Sequence, residues 1–398
     1  MQSRRIDRAV VAVAWLLAAA ALADALAYTA SGRPLFADLQ VYRLGLHHLG
    51  SGGNGLYDAR AVGGAPFTYP PIAAVLLAPL GALSVAAAGA VMTALSVAAL
   101  VAVARRCVRG SAGVVLPLLL ALALVSVPVR NVLFFGQVGL LLLCLVALDL
   151  LDVTPPKARG VLVGVAAAVK LTPFVFVPLL WFAGRRRDAA VAAATAAAFE
   201  AIGALVMPRA STAYWTRVLW HTNRVGDVNG PRNRSLWGLI PHGHVAGALL
   251  LAVAGGAVLA VAYVRAGRAL RAGNNVSALA ITGMASVALS PISWSHHLVW
   301  LVPAEAVALI TARFGLLAVL AALTYRWPDA PAHLLALTQA AAALLVIVVL
   351  PTKRPVPLEG RDTGRPLVGM AGFEPTTSSS RTRRATKLRH IPVVRRRV

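Results

Sequence analysis

Residues 157–187 read KARGVLVGVAAAVKLTPFVFVPLLWFAGRRR. Basic residues stand at both ends, Lys157–Arg159 and Arg185–Arg187, around a long apolar run. Cytoplasmic loops of membrane proteins carry the excess of Lys and Arg. A single crossing would leave one of these two clusters outside. Lys170-Leu171-Thr172-Pro173 interrupts the run in its middle. Each half is then about a dozen residues, too short for a hydrocarbon core of roughly 30 Å. The stretch is therefore expected to be a re-entrant hairpin of two short helices, both ends cytoplasmic, with KLTP at its tip. Irregular backbone at membrane depth is tolerated only where it lines a cavity or is buried in protein. A lysine there is costly unless paired or hydrated. The plainer alternative is a snorkelling lysine beside a proline kink.

The rest of the chain fits a membrane setting. Of 398 residues, 59% are hydrophobic and 13% charged, and mean hydropathy is +0.74. Soluble domains run near half apolar and a quarter charged. That excludes a soluble enzyme, a nucleic-acid-binding protein and a secreted disulfide scaffold. The net charge is +24, of which +9 falls in residues 351–398, with 12 Lys/Arg against 3 Asp/Glu. The remainder sits mostly in short clusters between apolar runs, as in loops held at an anionic leaflet. Cys107 and Cys144 are too few and too far apart for a metal site or a disulfide framework, and read as packing residues.

Apolar runs lie near 9–28, 72–104, 112–129, 138–152, 160–183, 189–207, 245–264, 276–290, 297–312, 314–327 and 331–350. The first follows MQSRRIDR; it is weighed as a signal peptide and preferred as a spanning helix, being about 20 residues long. The run 72–104 exceeds one crossing and suggests a short interfacial helix before the true span, or one tilted helix. Placing the clusters Arg4–Arg8, Arg105–Arg109, Lys157–Arg159, Arg185–Arg187, Arg265–Arg271, Arg313 and Lys353–Arg354 inside leaves loops 29–71, 130–137, 208–244, 291–296 and 326–331 outside. The expected fold is all-α: a polytopic integral membrane protein of about 10–12 membrane helices, the hairpin included. Its extracytoplasmic loops form the active site.

Those outer loops hold the chemistry-bearing residues. Asp38 and Tyr42 are four apart and share a face if helical. Gly52, Gly53 and Gly55 then break that helix, before Asp58 and Tyr69. Gln137 opens an apolar span and could bond a polar ligand at its mouth. The loop 208–244 offers Trp215, Trp220 and Trp237, and Arg217, Arg224, Arg232 and Arg234, whose guanidinium groups suit phosphate. His296-His297 follows Trp294; interfacial anchoring is the bland reading. Metal is not expected, because no HExxH and no carboxylate cluster accompanies the pair.

Taken in order, DLQVY (38–42), GLYD (55–58), FTYPP (67–71), FGQVG (135–139), VKLTP (169–173), NRSLWG (233–238) and SPISWSHH (290–297) resemble glycosyltransferase family 87. These are the polyprenyl-phosphate-mannose-dependent mannosyltransferases of actinobacteria, within the GT-C superfamily. The resemblance covers about residues 10–350, and it implies that residues 1–350 form a GT-C-like transmembrane glycosyltransferase domain. Arg234 departs from it, since the family more often has Gln there. The tail 351–398 resembles no part of the family. It reads as translated non-coding sequence beyond a shifted frame, or as a solvated, disordered basic tail near anionic lipid.

The resemblance implies mannose transfer from a polyprenyl phosphate donor to a glycolipid or glycan acceptor, giving an α product, with α-1,2 linkage the expectation. A β-linked donor makes the reaction inverting, so one carboxylate base suffices, unlike the paired carboxylates of glycosidases. Asp38 is assigned as that base, with Asp58 as competitor. His296, His297, Lys170 and Arg217 are candidates to hold the leaving phosphate. Tyr42, Tyr69, Gln137, Trp294 and Asn233 are candidates to shape the sugar and acceptor pockets. No cofactor and no nucleic-acid partner is implied; the partners are the donor, a glycolipid or lipoglycan acceptor and membrane lipids. The expected location is the plasma membrane, with the active site on the extracytoplasmic face. The rivals are a polyprenyl-phosphate-dependent arabinofuranosyltransferase and a lipid or glycan transporter. Transporters often pair broken helices in two repeats, and the sequence displays a single interruption, at KLTP.

Overall fold

A computed structural model describes residues 2–31, 36–240, 243–324 and 331–353, with backbone alone at 2–6 and 335. The contacts divide the chain into units 1–361 and 362–398, and the fold is that of the first. The expected loop 326–331 and the tail 351–398 lie almost wholly outside the described residues.

The chain runs α1 (Gln2–Ala30), α2 (Ala37–Leu49), α3 (Pro71–Leu77), α4 (Val85–Cys107), α5 (Val115–Val125) and α6 (Val127–Phe135). It continues with α7 (Gly139–Leu150), α8 (Val161–Val169), α9 (Phe176–Phe182), α10 (Arg186–Val206), α11 (Pro208–Thr216) and α12 (Leu236–Leu239). The last five helices are α13 (Val245–Arg271), α14 (Asn275–Leu289), α15 (Leu301–Ile310), α16 (Phe314–Thr324) and α17 (Ala332–Val349). Among the described residues there is no strand, only an isolated bridge between Arg60 and Pro66. The all-α polytopic architecture is as the sequence indicates.

Among the described residues five helices, α1, α4, α10, α13 and α17, are long and apolar enough to cross a membrane. The pair α5–α6 makes a sixth if counted as one bent span, and six shorter apolar segments of 10–17 residues, with the nine-residue α8, account for the other described runs. The run 72–104 resolves as the short α3 followed by α4, whose first turn is capped by Ser84 accepting the Ala87 N–H at 3.1 Å.

Two findings differ from the sequence reading. Residues 130–135, expected in an outer loop, belong to α6. A second interruption, unseen in the sequence, bends α5 against α6 by 64°. Ser126 turns its hydroxyl back onto the Ala123 carbonyl at 2.7 Å, and Pro128 supplies no N–H in the first turn of α6.

The hairpin is present. Asp149 accepts the N–H groups of Gly160 (3.0 Å) and Val163 (2.9 Å), which fixes the start of α8. After nine residues Lys170 goes extended (φ −148°, ψ 131°). A short 3₁₀ turn at Thr172–Val175 leads into α9. Gly160 has φ +99°, and a Cβ on it would stand 2.2 Å from the Asp188 carbonyl oxygen. Arg187 donates to the carbonyls of Pro156 and Lys157. The two ends of the hairpin therefore meet, and KLTP is its turn.

Other predicted inner clusters gather at this same end. Asp152 pairs with Arg159 (3.2 Å) and accepts from Asn275 (2.9 Å). Arg271 donates to the Phe182 carbonyl, Arg265 to Leu350, and Asn274 to Pro351 and Lys353. From there α10 runs 21 residues, about 31 Å, to α11, which packs on Gly53.

Candidate active site

At the end of the bundle away from those basic clusters lies a cavity of about 620 Å³. Its walls come from α2, the 65–70 segment, α6, the KLTP turn, the 214–234 region and residues 290–297. Segments spread over most of the chain thus meet in one chamber.

Asp38 stands in the first turn of α2, where helix N–H groups favour a carboxylate. Tyr42 follows one turn later. The Gln137 side-chain amide joins them: Nε2 donates to Asp38 Oδ2 at 2.5 Å, and Oε1 accepts Tyr42 Oη at 2.7 Å and Tyr69 Oη at 3.2 Å. The two hydroxyls are themselves 3.0 Å apart. Gly136 makes this possible. It ends α6 in the left-handed region (φ 69°), and a Cβ there would stand 2.8 Å from that of Leu39. No larger residue would let α6 deliver Gln137 so close to α2.

Opposite this network, Lys170 Nζ lies 2.9 Å from His297 Nε2 and 5.4 Å from the centre of the Tyr69 ring. His297 Nδ1 lies 3.2 Å from the Trp294 backbone nitrogen, a contact that orients the ring with Nε2 towards Lys170. His296 stacks edge-on against His297 (4.6 Å between ring centres) and Phe135 (6.0 Å). Asn131 donates to Ser295 Oγ at 2.8 Å, tying α6 to this segment. The lysine is thus held inside the cavity by named partners, not left to snorkel.

Burial raises the Asp38 pKa above the usual carboxylate range; the Gln137 hydrogen bond and the Lys170 charge pull the other way without cancelling it. The carboxylate is thereby more basic than a solvated one, while its proton-free form is still held by a donor and a cation. Among the described cavity-lining residues Asp38 is the single carboxylate. No group of three His, Cys, Asp or Glu side chains is arranged to hold an ion among the described residues.

Asp38, Tyr42, Tyr69, Gln137, Lys170, Trp294, His296 and His297 all line the cavity. Asn233 stands behind it. Its Nδ2 donates to the Val228 and Pro291 carbonyls, and its Oδ1 accepts from Ser293 N, Ser235 N and Ser235 Oγ. Every polar atom of that amide is spent on the protein, so it braces the loop that carries the histidines. Arg217 and Asp58 pair with each other at 3.6 Å, both more than half exposed, and neither lines the cavity. Such an exposed pair contributes less than about 1 kcal/mol.

Sequence reasoning missed two features of the wall. Tyr214 lines the cavity and stacks on Tyr57 at 5.8 Å. Its only sequence signal is its place in an aromatic-rich loop. The Asn131–Ser295 bond links positions 164 residues apart, and no local pattern announces it.

The family model for Glycosyltransferase family 87 matches residues 67–291. A polyprenol-phosphate-mannose-dependent alpha-(1-2)-phosphatidylinositol mannoside mannosyltransferase of Mycobacterium tuberculosis is 32% identical over 76% of this chain and 77% of its own length. A polyprenol-phosphate-mannose-dependent alpha-(1-2)-phosphatidylinositol pentamannoside mannosyltransferase of Mycolicibacterium smegmatis is 36% identical over 67% of this chain and 68% of its own. No solved structure matches. The matched region holds the Tyr69, Gln137, Lys170 and Asn233 segments described above, within a multi-pass membrane protein, and the chain belongs to glycosyltransferase family 87.

Proposed function

We propose that the chain transfers mannose from polyprenyl phosphate mannose to a phosphatidylinositol mannoside, with inversion, forming an α-1,2 linkage. The names of its relatives support the donor, the linkage and the acceptor class. The observation that carries the chemistry is a single carboxylate, Asp38, facing a Lys170–His297 pair across one cavity.

In this mechanism Asp38 takes the proton of the acceptor hydroxyl as that oxygen bonds to the anomeric carbon. The bond from that carbon to the phosphate oxygen breaks on the opposite face, and its electron pair leaves with polyprenyl phosphate. Gln137 holds the carboxylate in place, with Tyr42 and Tyr69 orienting the amide. Lys170, His297 and His296 meet the negative charge that grows on the leaving phosphate, an electrostatic role worth several kcal/mol in a water-poor site. Trp294 supplies an apolar face for a sugar ring.

The cavity end is assigned to the extracytoplasmic side of the plasma membrane, because basic clusters collect at the other end. Residues 1–350 form the transferase domain, and 351–398 take no part. Arg217 and Asp58 belong to the outer rim. Incubating membrane vesicles with labelled polyprenyl phosphate mannose and a panel of acceptors tests the reading. Label recovered in a phosphatidylinositol mannoside supports it. Label moved across the bilayer without covalent transfer favours a transporter, and transfer only from an arabinofuranosyl donor favours that rival.

A further inference from the structure

The cavity has a second cationic end that the transfer step leaves unused. Arg224, Arg232 and Arg234 line it, and none forms an ion pair among the described residues. Arg234 is 7% exposed. Its Nε donates to Gln339 Oε1 at 2.8 Å and its Nη1 reaches the Pro231 carbonyl at 3.4 Å. Its Nη2 has no acceptor among the described residues. Arg224 donates from Nη2 to the Tyr57 carbonyl, and its buried Nε has no partner. Burial, and then the charge of Arg232, lower the Arg234 pKa to about 10. Arg234 is buried with the like charge of Arg232 beside it, an arrangement that is costly unless an anion joins the two. Their fork geometry suits the paired oxygens of a phosphate.

We propose that Arg224, Arg232 and Arg234 form a second phosphate site, which takes the phosphodiester of an anionic glycolipid acceptor. The inference rests on the transfer reading above and deepens it. The donor brings one phosphate, which the reaction places beside Lys170 and His297. The arginines remain for another. Arg234 is also fixed relative to the histidines: its backbone N–H donates to Ser293 at 2.7 Å, and Asn233 bonds both Ser293 and Pro291. The two phosphate sites thus share one platform. That platform sets how far the acceptor's phosphate stands from the hydroxyl presented to Asp38.

The test uses the full chain in detergent, labelled polyprenyl phosphate mannose, and two acceptors: phosphatidylinositol mannoside and uncharged octyl α-mannoside. Arg234→Gln removes one charge-assisted contact and should cut the preference for the charged acceptor at least tenfold. The effect should lie in the acceptor KM, and Arg234→Lys should restore most of it. An equal fall with both acceptors, or a raised donor KM in its place, overturns the site and assigns the arginines to the donor. Arg232→Gln gives a variant on which folding does not depend, since Arg232 is exposed and makes no hydrogen bond among the described residues. It should lose the same preference to a smaller degree. Short-chain phosphatidylinositol binding, read by tryptophan fluorescence, is the arm that does not need turnover. Binding weakened about tenfold by Arg234→Gln supports the site even if no acceptor is mannosylated, an outcome that would sink the transfer reading alone. Binding indifferent to that change overturns the site.

Discussion

Gln137 donates to the Asp38 carboxylate at 2.5 Å across 99 residues of sequence, while two tyrosine hydroxyls hold the other end of its amide. The amide can face only one way in this network: its NH₂ has the carboxylate, its oxygen the two phenols. A base that must meet its proton in a fixed direction is thus oriented before substrate arrives, as general-base catalysis requires.

Removing that donor should show in the pH profile. A hydrogen bond to the charged form favours it, so Gln137→Leu should raise the Asp38 pKa further. Activity needs the unprotonated carboxylate and is lost as pH falls through its pKa. The acid limb of kcat/KM should therefore lie above the ordinary carboxylate range in the wild type and higher still in the variant. An unmoved acid limb with lowered kcat would assign Gln137 to packing alone.

Lys170→Met removes the cation facing the departing phosphate. Loss of one such stabilising group typically costs about 10²–10³ in rate. The Lys170 charge also lowers the Asp38 pKa, so the acid limb should again move upward. Lys170→Arg keeps the charge and should retain part of the activity. Transfer kinetics across pH measure both effects, and unchanged kcat in Lys170→Met contradicts the role.

Asn233→Ala should act on the loop rather than on substrate. It leaves buried groups around Val228, Ser235, Pro291 and Ser293 without their partner, each at about 1–3 kcal/mol. Thermal unfolding in detergent should report a marked loss of stability. A selective rise in acceptor KM with stability intact would instead make Asn233 a substrate contact.

Gly160→Ala tests the hairpin. The new methyl would meet the Asp188 carbonyl oxygen at a backbone angle that favours glycine, which costs about 1–3 kcal/mol in strain before the clash is counted. Gly184 has a similar φ of +91° with nothing within 4 Å, so Gly184→Ala should be the milder change. Folded yield by size-exclusion chromatography distinguishes them, and equal yields would argue against the close meeting of the hairpin ends.

Much of this arrangement was legible in the sequence, for physical reasons that also mark where reading stops. Charge on both flanks of 160–183 and a lysine in its middle leave a hairpin as the economical solution, and the structure has one. The four-residue spacing of Asp38 and Tyr42 fixes their common face as soon as α2 is helical. By contrast, residues 130–135 of α6 fall in an expected loop, because Arg130 and Asn131 end the apolar run 112–129. Arg130 is in fact neutralised by Asp24 at 3.0 Å and covers the Tyr28 ring. Asn233 reads in the sequence as a ligand-binding amide because two of its partners, Pro291 and Ser293, lie 58 and 60 residues away and only tertiary folding brings them in. Asp58 stands as a competitor to Asp38 in the sequence because sequence carries no depth; exposure and its pairing with Arg217 separate the two.

The most direct measurement compares Asp38→Asn and Asp58→Asn with the wild type in membrane vesicles, using labelled polyprenyl phosphate mannose and matched protein amounts. With Asp38 as the base, its replacement should lower transfer by about 10²–10⁴ while Asp58→Asn stays within a few-fold of wild type. Near-normal transfer by Asp38→Asn, with Asp58→Asn inactive, would contradict the assignment.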